Sequence, residues 1–178
     1  TMEVDFALHV PETGRFRVNV FRQRGHIGLV LRVVPDSPPQ LSSLKLPKVI
    51  RDLSQLSRGL VLLTGVTGSG KSTTLAAILE EINRTRSAHI VTIEDPIEFT
   101  FEDHSALINQ REIGSDSNSY PSALRSALRQ DPDVILISEI RDRETMEIAL
   151  TAAETGHLVL ASLHSINASE AITRIVDF

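Results

Sequence analysis

A chain of 178 residues that is 41% hydrophobic and 23% charged buries about 70% of its unfolded surface, enough for a globular core without staples. The lack of cysteine excludes disulfides and thiolate metal sites and fits a reducing compartment, with the cytoplasm as the expected one. There is no signal-like start and no apolar run near about 18 residues, and a net charge of −5 with one Tyr and no Trp argues against a protein built mainly to grip nucleic acid.

Residues 15–20 and 27–33 alternate in polarity around Arg24-Gly25-His26, a hairpin signal, and residues 4–10 add a third strand to an antiparallel meander. Three strands are too few to stand alone, so 1–35 reads as the end of a small N-terminal α+β domain. Arg15, Arg17, Arg22, Arg24 and Arg32 cluster within it. The run Pro35-Asp36-Ser37-Pro38-Pro39-Gln40 cannot propagate a helix and marks a linker over 36–47. From there to residue 178 the pattern is α/β. A helix over 47–57 leads into buried strands over 60–64, 90–94, 134–139 and 158–164. Between them lie helices over 72–83, 121–130 and 142–155, the last closed by Gly156. This alternation predicts a mainly parallel sheet with right-handed crossovers. All carboxyl ends then share one edge, where Thr64, Glu94, Glu139 and His164 are expected to converge. The chain opens at Thr1 in a strand-like run and stops at Phe178 inside a helical pattern, as expected of a piece of something longer.

Residues 65–72 read Gly-Val-Thr-Gly-Ser-Gly-Lys-Ser between a strand and a helix. The glycines let successive backbone N–H groups turn inward, and the helix adds the positive end of its dipole, which makes a phosphate-binding loop. Gly65, Thr67, Gly68, Ser69, Gly70, Lys71, Ser72 and Thr73 are the expected nucleotide-binding residues. Lys71 serves the β and γ phosphates and Ser72 serves Mg²⁺. Hydrolysis also needs a carboxylate beside the metal and one that handles water. Ser138 occupies the usual aspartate position of the second nucleotide motif, so the metal-side role passes to Glu139, and Glu94 is expected to activate water. Pro96 keeps Asp95 extended as the chain leaves the sheet. His157 and His164 flank the last strand as hydrogen-bond donors to the phosphate or the acids. Arg125 and Arg129, four apart on one helix face, are candidates to reach a γ phosphate in a neighbouring subunit.

Taken together these residues resemble the secretion and type IV pilus motor ATPases, hexameric RecA-like P-loop NTPases with an N-terminal PAS-like domain. Beyond the loop, Ile93-Glu94-Asp95-Pro96-Ile97-Glu98 is similar to the family's aspartate box. Residues 122–133 with 138–142 are similar to its Walker B region, and residues 151–164 to its histidine box. Residues 15–25 and Asn109-Gln110-Arg111-Glu112-Ile113-Gly114 are similar to the pilus-retraction (PilT-like) branch. The resemblance implies ATP hydrolysis with Mg²⁺ in a homo-hexamer that withdraws pilin subunits. It further implies a polytopic platform protein of the inner membrane as partner and a cytoplasmic, membrane-peripheral place. It also implies phosphate contacts from Arg17, Arg32, Arg125 and Arg129. The family usually has Pro at position 66 and Gly at position 138, where this chain has Val66 and Ser138. On the same resemblance, further C-terminal helices and the start of the N-terminal domain lie outside the chain, so 48–178 is a truncated RecA-like core.

Three alternatives are open at this level. A pilus-extension or type II secretion ATPase shares the motifs. A RecA-like nucleic-acid translocase predicts stimulation by DNA or RNA with salt-dependent affinity. A nucleotide-gated scaffold predicts ATP-dependent assembly without phosphate release.

Overall fold

The computed structural model describes residues 3–35 and 37–178; Thr1 and Met2, where the strand-like run opens, and Asp36, in the linker, lie outside the described residues. Strands β1 (Glu3–Val10), β2 (Gly14–Gln23) and β3 (His26–Val34) form the expected antiparallel meander in the order β1-β2-β3. Its register sets Arg17 directly opposite Arg32. A 3-10 turn over Leu41–Leu44 and a short helix α1 (Lys48–Leu53) lead into the second unit. The helix is shorter than the sequence pattern predicts. Arg86 Nη1 donates to the carbonyls of Ser54 (3.1 Å) and Leu56 (2.8 Å), so these carbonyls are satisfied without a further helical turn.

The second unit is a five-stranded parallel sheet in the order β4-β8-β7-β5-β6. Its strands are β4 (Gly59–Thr64), β5 (His89–Glu94), β6 (Leu107–Glu112), β7 (Val134–Ile140) and β8 (Leu158–Leu163). Helices α2 (Lys71–Thr85), α3 (Tyr120–Ala127), α4 (Arg143–Glu154) and α5 (Ala168–Asp177) complete it. Side chains alternate between two cores, as a sheet covered on both faces requires. Ile90, Val134, Leu136, Leu158 and Leu160 pack with Leu75, Ile78, Leu79 and Ile82 of α2. Val91, Ile93, Ile135, Ile137 and Val159 pack with Leu124 of α3 and Met146 of α4 on the other side.

Strand β6 is not among the four strands expected from sequence. It reads Leu-Ile-Asn-Gln-Arg-Glu and sits at the sheet edge beside β5, where one flank needs no apolar cover. In β7 the register with β8 shifts between Ile137 and Ile140, so Ser138 and Glu139 leave the regular ladder at the rim where the strands end.

Candidate functional site

The segment from Gly65 to Gly70 joins β4 to α2. Gly65 has φ 150°, and a Cβ there would meet Ser69 Oγ at 2.6 Å, so the loop closes only around glycine. Gly70 has φ 92° and delivers the chain into α2, whose first residue is Lys71. The Lys71 ammonium donates to the carbonyls of Gly65 (2.9 Å) and Val66 (3.1 Å) and is thereby held over the mouth of its own loop.

Above the loop lies a cleft of about 470 Å³. Its floor is Thr67, Gly68, Gly70, Lys71, Ser72 and Thr73. Its far wall comes from strand ends scattered through the sequence: Ser138 and Glu139 near the carboxyl end of β7, Ser162 in β8 and His164 just after it, and Asp95, Pro96 and Glu98 after β5. Arg32 of β3 closes the cleft from the N-terminal sheet. Gly65 and Ser69 shape the loop and do not line the cleft.

Glu139 is the best-connected acid of the wall. Its Oε1 lies 3.1 Å from His164 Nε2 and its Oε2 lies 3.0 Å from Arg141 Nη2. Arg141 reaches on to Asp95 Oδ2 at 3.2 Å, and the hydrogen bond to Glu139 raises its already high pKa. Ser138 is pinned from two sides: Tyr120 Oη lies 2.6 Å from its hydroxyl, and Ser162 Oγ donates to its carbonyl at 2.5 Å. Burial pushes the Tyr120 phenol up to about 12, so it stays a neutral hydrogen-bonding group.

Glu94 behaves differently from the expectation. It is 6% exposed, and its Oε1 accepts from Thr92 Oγ1 at 2.7 Å and from Gln110 Nε2 at 3.0 Å. Burial drives its pKa up against those donors and the Glu98 amide. It does not line the cleft. It lines a narrow pocket of about 30 Å³ behind it, shared with Ser72, Glu98 and Ser138, which is room for a water molecule. Glu98 is exposed and lines both spaces. The period of two carried the signal: residues 90, 92 and 94 share the face that packs on α2, so Glu94 turns under the sheet, while Glu98 lies beyond the strand on a loop free to face the cleft.

The other expected residues divide by position. His157 precedes β8 at the opposite rim, where its carbonyl accepts from Gly59 N–H at 3.0 Å and its Nδ1 lies 2.9 Å from the Ala152 carbonyl. Arg125 pairs with Glu144 on α4, and Arg129 donates to the Arg125 carbonyl at 2.9 Å; neither enters the cleft of its own chain. Arg17 lines a neighbouring groove that it shares with Arg32. Two arginines directly across a ladder repel each other, and an anion between them would relieve the cost. Chemically, the arrangement offers backbone amides, an ammonium and a hydroxyl to a polyphosphate, with a hydrogen-bonded carboxylate facing them.

The family model described as type II/IV secretion system protein matches residues 4–178. The chain is 52% identical over 176 residues to the type IV pilus retractation ATPase PilT of Pseudomonas aeruginosa, covering 99% of this chain and 51% of that protein. It is also 52% identical to the twitching motility protein of Neisseria gonorrhoeae, covering 99% of this chain and 47% of that one. A solved structure described as the pilus retraction motor PilT with bound ADP superposes with a TM-score of 0.97 at 52% identity, over 100% of this chain and 52% of that chain. The chain thus spans about half the length of the relatives it matches.

Proposed function

The chain belongs to the type II/IV secretion system protein family, and from that premise we propose that it is the nucleotide-binding part of an ATP-hydrolysing motor that drives type IV pilus retraction and twitching motility. The observation that carries this reading is the single cleft in which Lys71, Ser72, Glu139, His164 and Glu98 meet, although nearly a hundred positions separate the first from the last. The names of the relatives support retraction over extension or type II export. In the proposed assembly residues 1–35 belong to the N-terminal domain, 36–47 are the linker and 48–178 are the motor core.

The loop amides and Lys71 bind and orient the phosphates, and Arg32 adds a positive charge from the N-terminal sheet. Mg²⁺ fits the donor set: Ser72 supplies one hard oxygen and Glu139 faces it across the cleft. Among the described residues no group of three or more His, Cys, Asp or Glu gathers to cage a metal, which suits an ion that keeps most of its waters. When bound, Mg²⁺ neutralises charge that develops on the phosphate oxygens. Glu98 is the carboxylate placed to orient the attacking water and take its proton, with Glu94 behind it bounding the water pocket. His164 holds Glu139 in place through its Nε2; its position in the cleft wall suits it to a hydrogen bond with the bound phosphate.

Arg125 and Arg129 would serve a γ phosphate only across a subunit boundary, which fits a homo-hexamer. His157 has no route to the cleft of its own chain, and its proposed part is to hold the turn between α4 and β8. The proposed partner is a platform protein of the inner membrane, with the motor on the cytoplasmic side; among the described residues no helix is long and apolar enough to cross a membrane.

Calorimetric titration with Mg·ADP and a steady-state phosphate-release assay test the reading. Lys71→Ala should abolish binding, and Glu98→Gln should keep binding while turnover falls by about 10²-fold or more. Wild-type chain without affinity for Mg·ADP would overturn it.

A further inference from the structure

The segment 95–101 carries Glu98 between β5 and β6; β6 side chains hold its backbone at Ile97, Phe99 and Phe101, and the Glu94 carboxyl of β5 accepts from the Glu98 amide. Gln110 Nε2 donates to the Phe99 carbonyl at 2.9 Å while its Oε1 accepts from the Phe101 N–H at 2.9 Å, so one amide side chain grips both sides of Thr100. Two residues on, Glu112 Oε2 accepts from the Ile97 N–H at 3.1 Å. That same oxygen receives Arg15 Nη2 from β2 at 3.1 Å. Glu112 is 7% exposed, and its other oxygen meets Ser115 Oγ at 3.4 Å. Around this contact the N-terminal sheet and the core do not pack solidly. A groove of about 320 Å³ opens beside it, with Arg17, Val34 and Gly114 among its walls.

We infer that Glu112 is a positioning residue through which the N-terminal sheet sets the place of Glu98 in the cleft. The shared oxygen makes the coupling mechanical. If Arg15 moves with its sheet, the carboxylate must follow it or lose it, and in either case the hydrogen bond to Ile97, one residue before Glu98, changes. Gln110 holds the far side of the segment to β6 and Glu94 holds the Glu98 amide, so a displacement at Ile97 acts on a short stretch tethered on both sides. The ion pair bridges the groove, so a displacement of the N-terminal sheet reaches Ile97 directly through Glu112. The role of Glu98 rests on the nucleotide reading above; the mechanical link between Arg15 and Ile97 does not.

Residue-resolved hydrogen exchange by NMR on the 178-residue chain tests the link. Arg15→Ala leaves the acceptor for Ile97 in place, yet it should speed exchange of the Ile97 amide by about threefold to fivefold, the scale of one partly exposed ion pair. Arg15→Lys should restore most of the protection. Glu112→Gln keeps an acceptor and discards the ion pair, so it should match Arg15→Ala, and the double variant should be no faster than either single one. Mg·ADP affinity should hold within about twofold in Arg15→Ala, because Arg15 lies outside the cleft. Unchanged Ile97 exchange in Arg15→Ala, or effects that multiply in the double variant, would overturn the relay. A wild-type chain that binds no Mg·ADP would instead remove the function of Glu98 and leave the exchange data to decide the coupling.

Discussion

Glu94 is a carboxyl group that the fold prefers neutral. Burial raises its pKa above the ordinary value near 4.5, and the donors from Thr92 and Gln110 only partly offset this. The stability that it contributes is therefore complete below the ordinary value and is lost as the pH rises through the raised one. Glu94→Gln keeps acceptors for both donors and never ionises. Thermal melts should show the variant gaining on the wild type as the pH rises from about 4 to about 8; a difference that stays constant would mean that Glu94 ionises as freely as a surface acid. The same environment explains what was legible here. The aspartate-box acids were visible in the sequence, and so were Lys71, Ser72, Glu139 and His164. Which of the two glutamates faces the cleft depends on strand pleat, which the alternation of residues 90, 92 and 94 did carry, and on a loop held by Gln110, which no local pattern encodes. Arg141, joined to Glu139 and Asp95, carried no signal beyond an ordinary basic residue after a strand.

Among the elements, α4 has the clearest local encoding. Asp142 Oδ1 accepts from the Thr145 N–H at 2.8 Å, and both its oxygens accept from the Thr145 hydroxyl. Asp142→Ala should cost about 1 kcal/mol and lower the melting midpoint by about 2–4 °C, whereas Asp142→Asn should cost much less; equal losses would place the effect in charge and not in capping. A cavity in the α2 core is a larger perturbation. Leu79→Ala, at a fully buried position, should cost about 2–5 kcal/mol in denaturant unfolding. The apolar strands and the capped helices were readable because burial and capping leave local patterns. Strand β6 was not, since an edge strand with Asn, Gln, Arg and Glu looks like loop until its partner β5 is known. The early end of α1 was hidden for a similar reason: the carbonyls of Ser54 and Leu56 just past it are met by Arg86, thirty or more positions away along the chain but adjacent in the fold.

For the molecule as a whole, a ligand held only by the folded state stabilises it by mass action. Mg·ADP at about a hundred times its Kd should add about 2.7 kcal/mol, which raises the midpoint by about 5–10 °C for a chain of this size. Removing the metal with a chelator should lower that rise, and Lys71→Ala should abolish it in the same scan. The parallel α/β class was legible from alternation, but the spatial order was not, because hydrophobic runs carry no address. That order has a consequence for biosynthesis. Among the described residues β4, which carries the phosphate loop, pairs only with β8, and β8 lies between β4 and β7. As the polypeptide leaves the ribosome, the loop therefore stays without its neighbouring strand until residues 158–163 have emerged, and nascent chains arrested earlier should be protease-sensitive around 59–70.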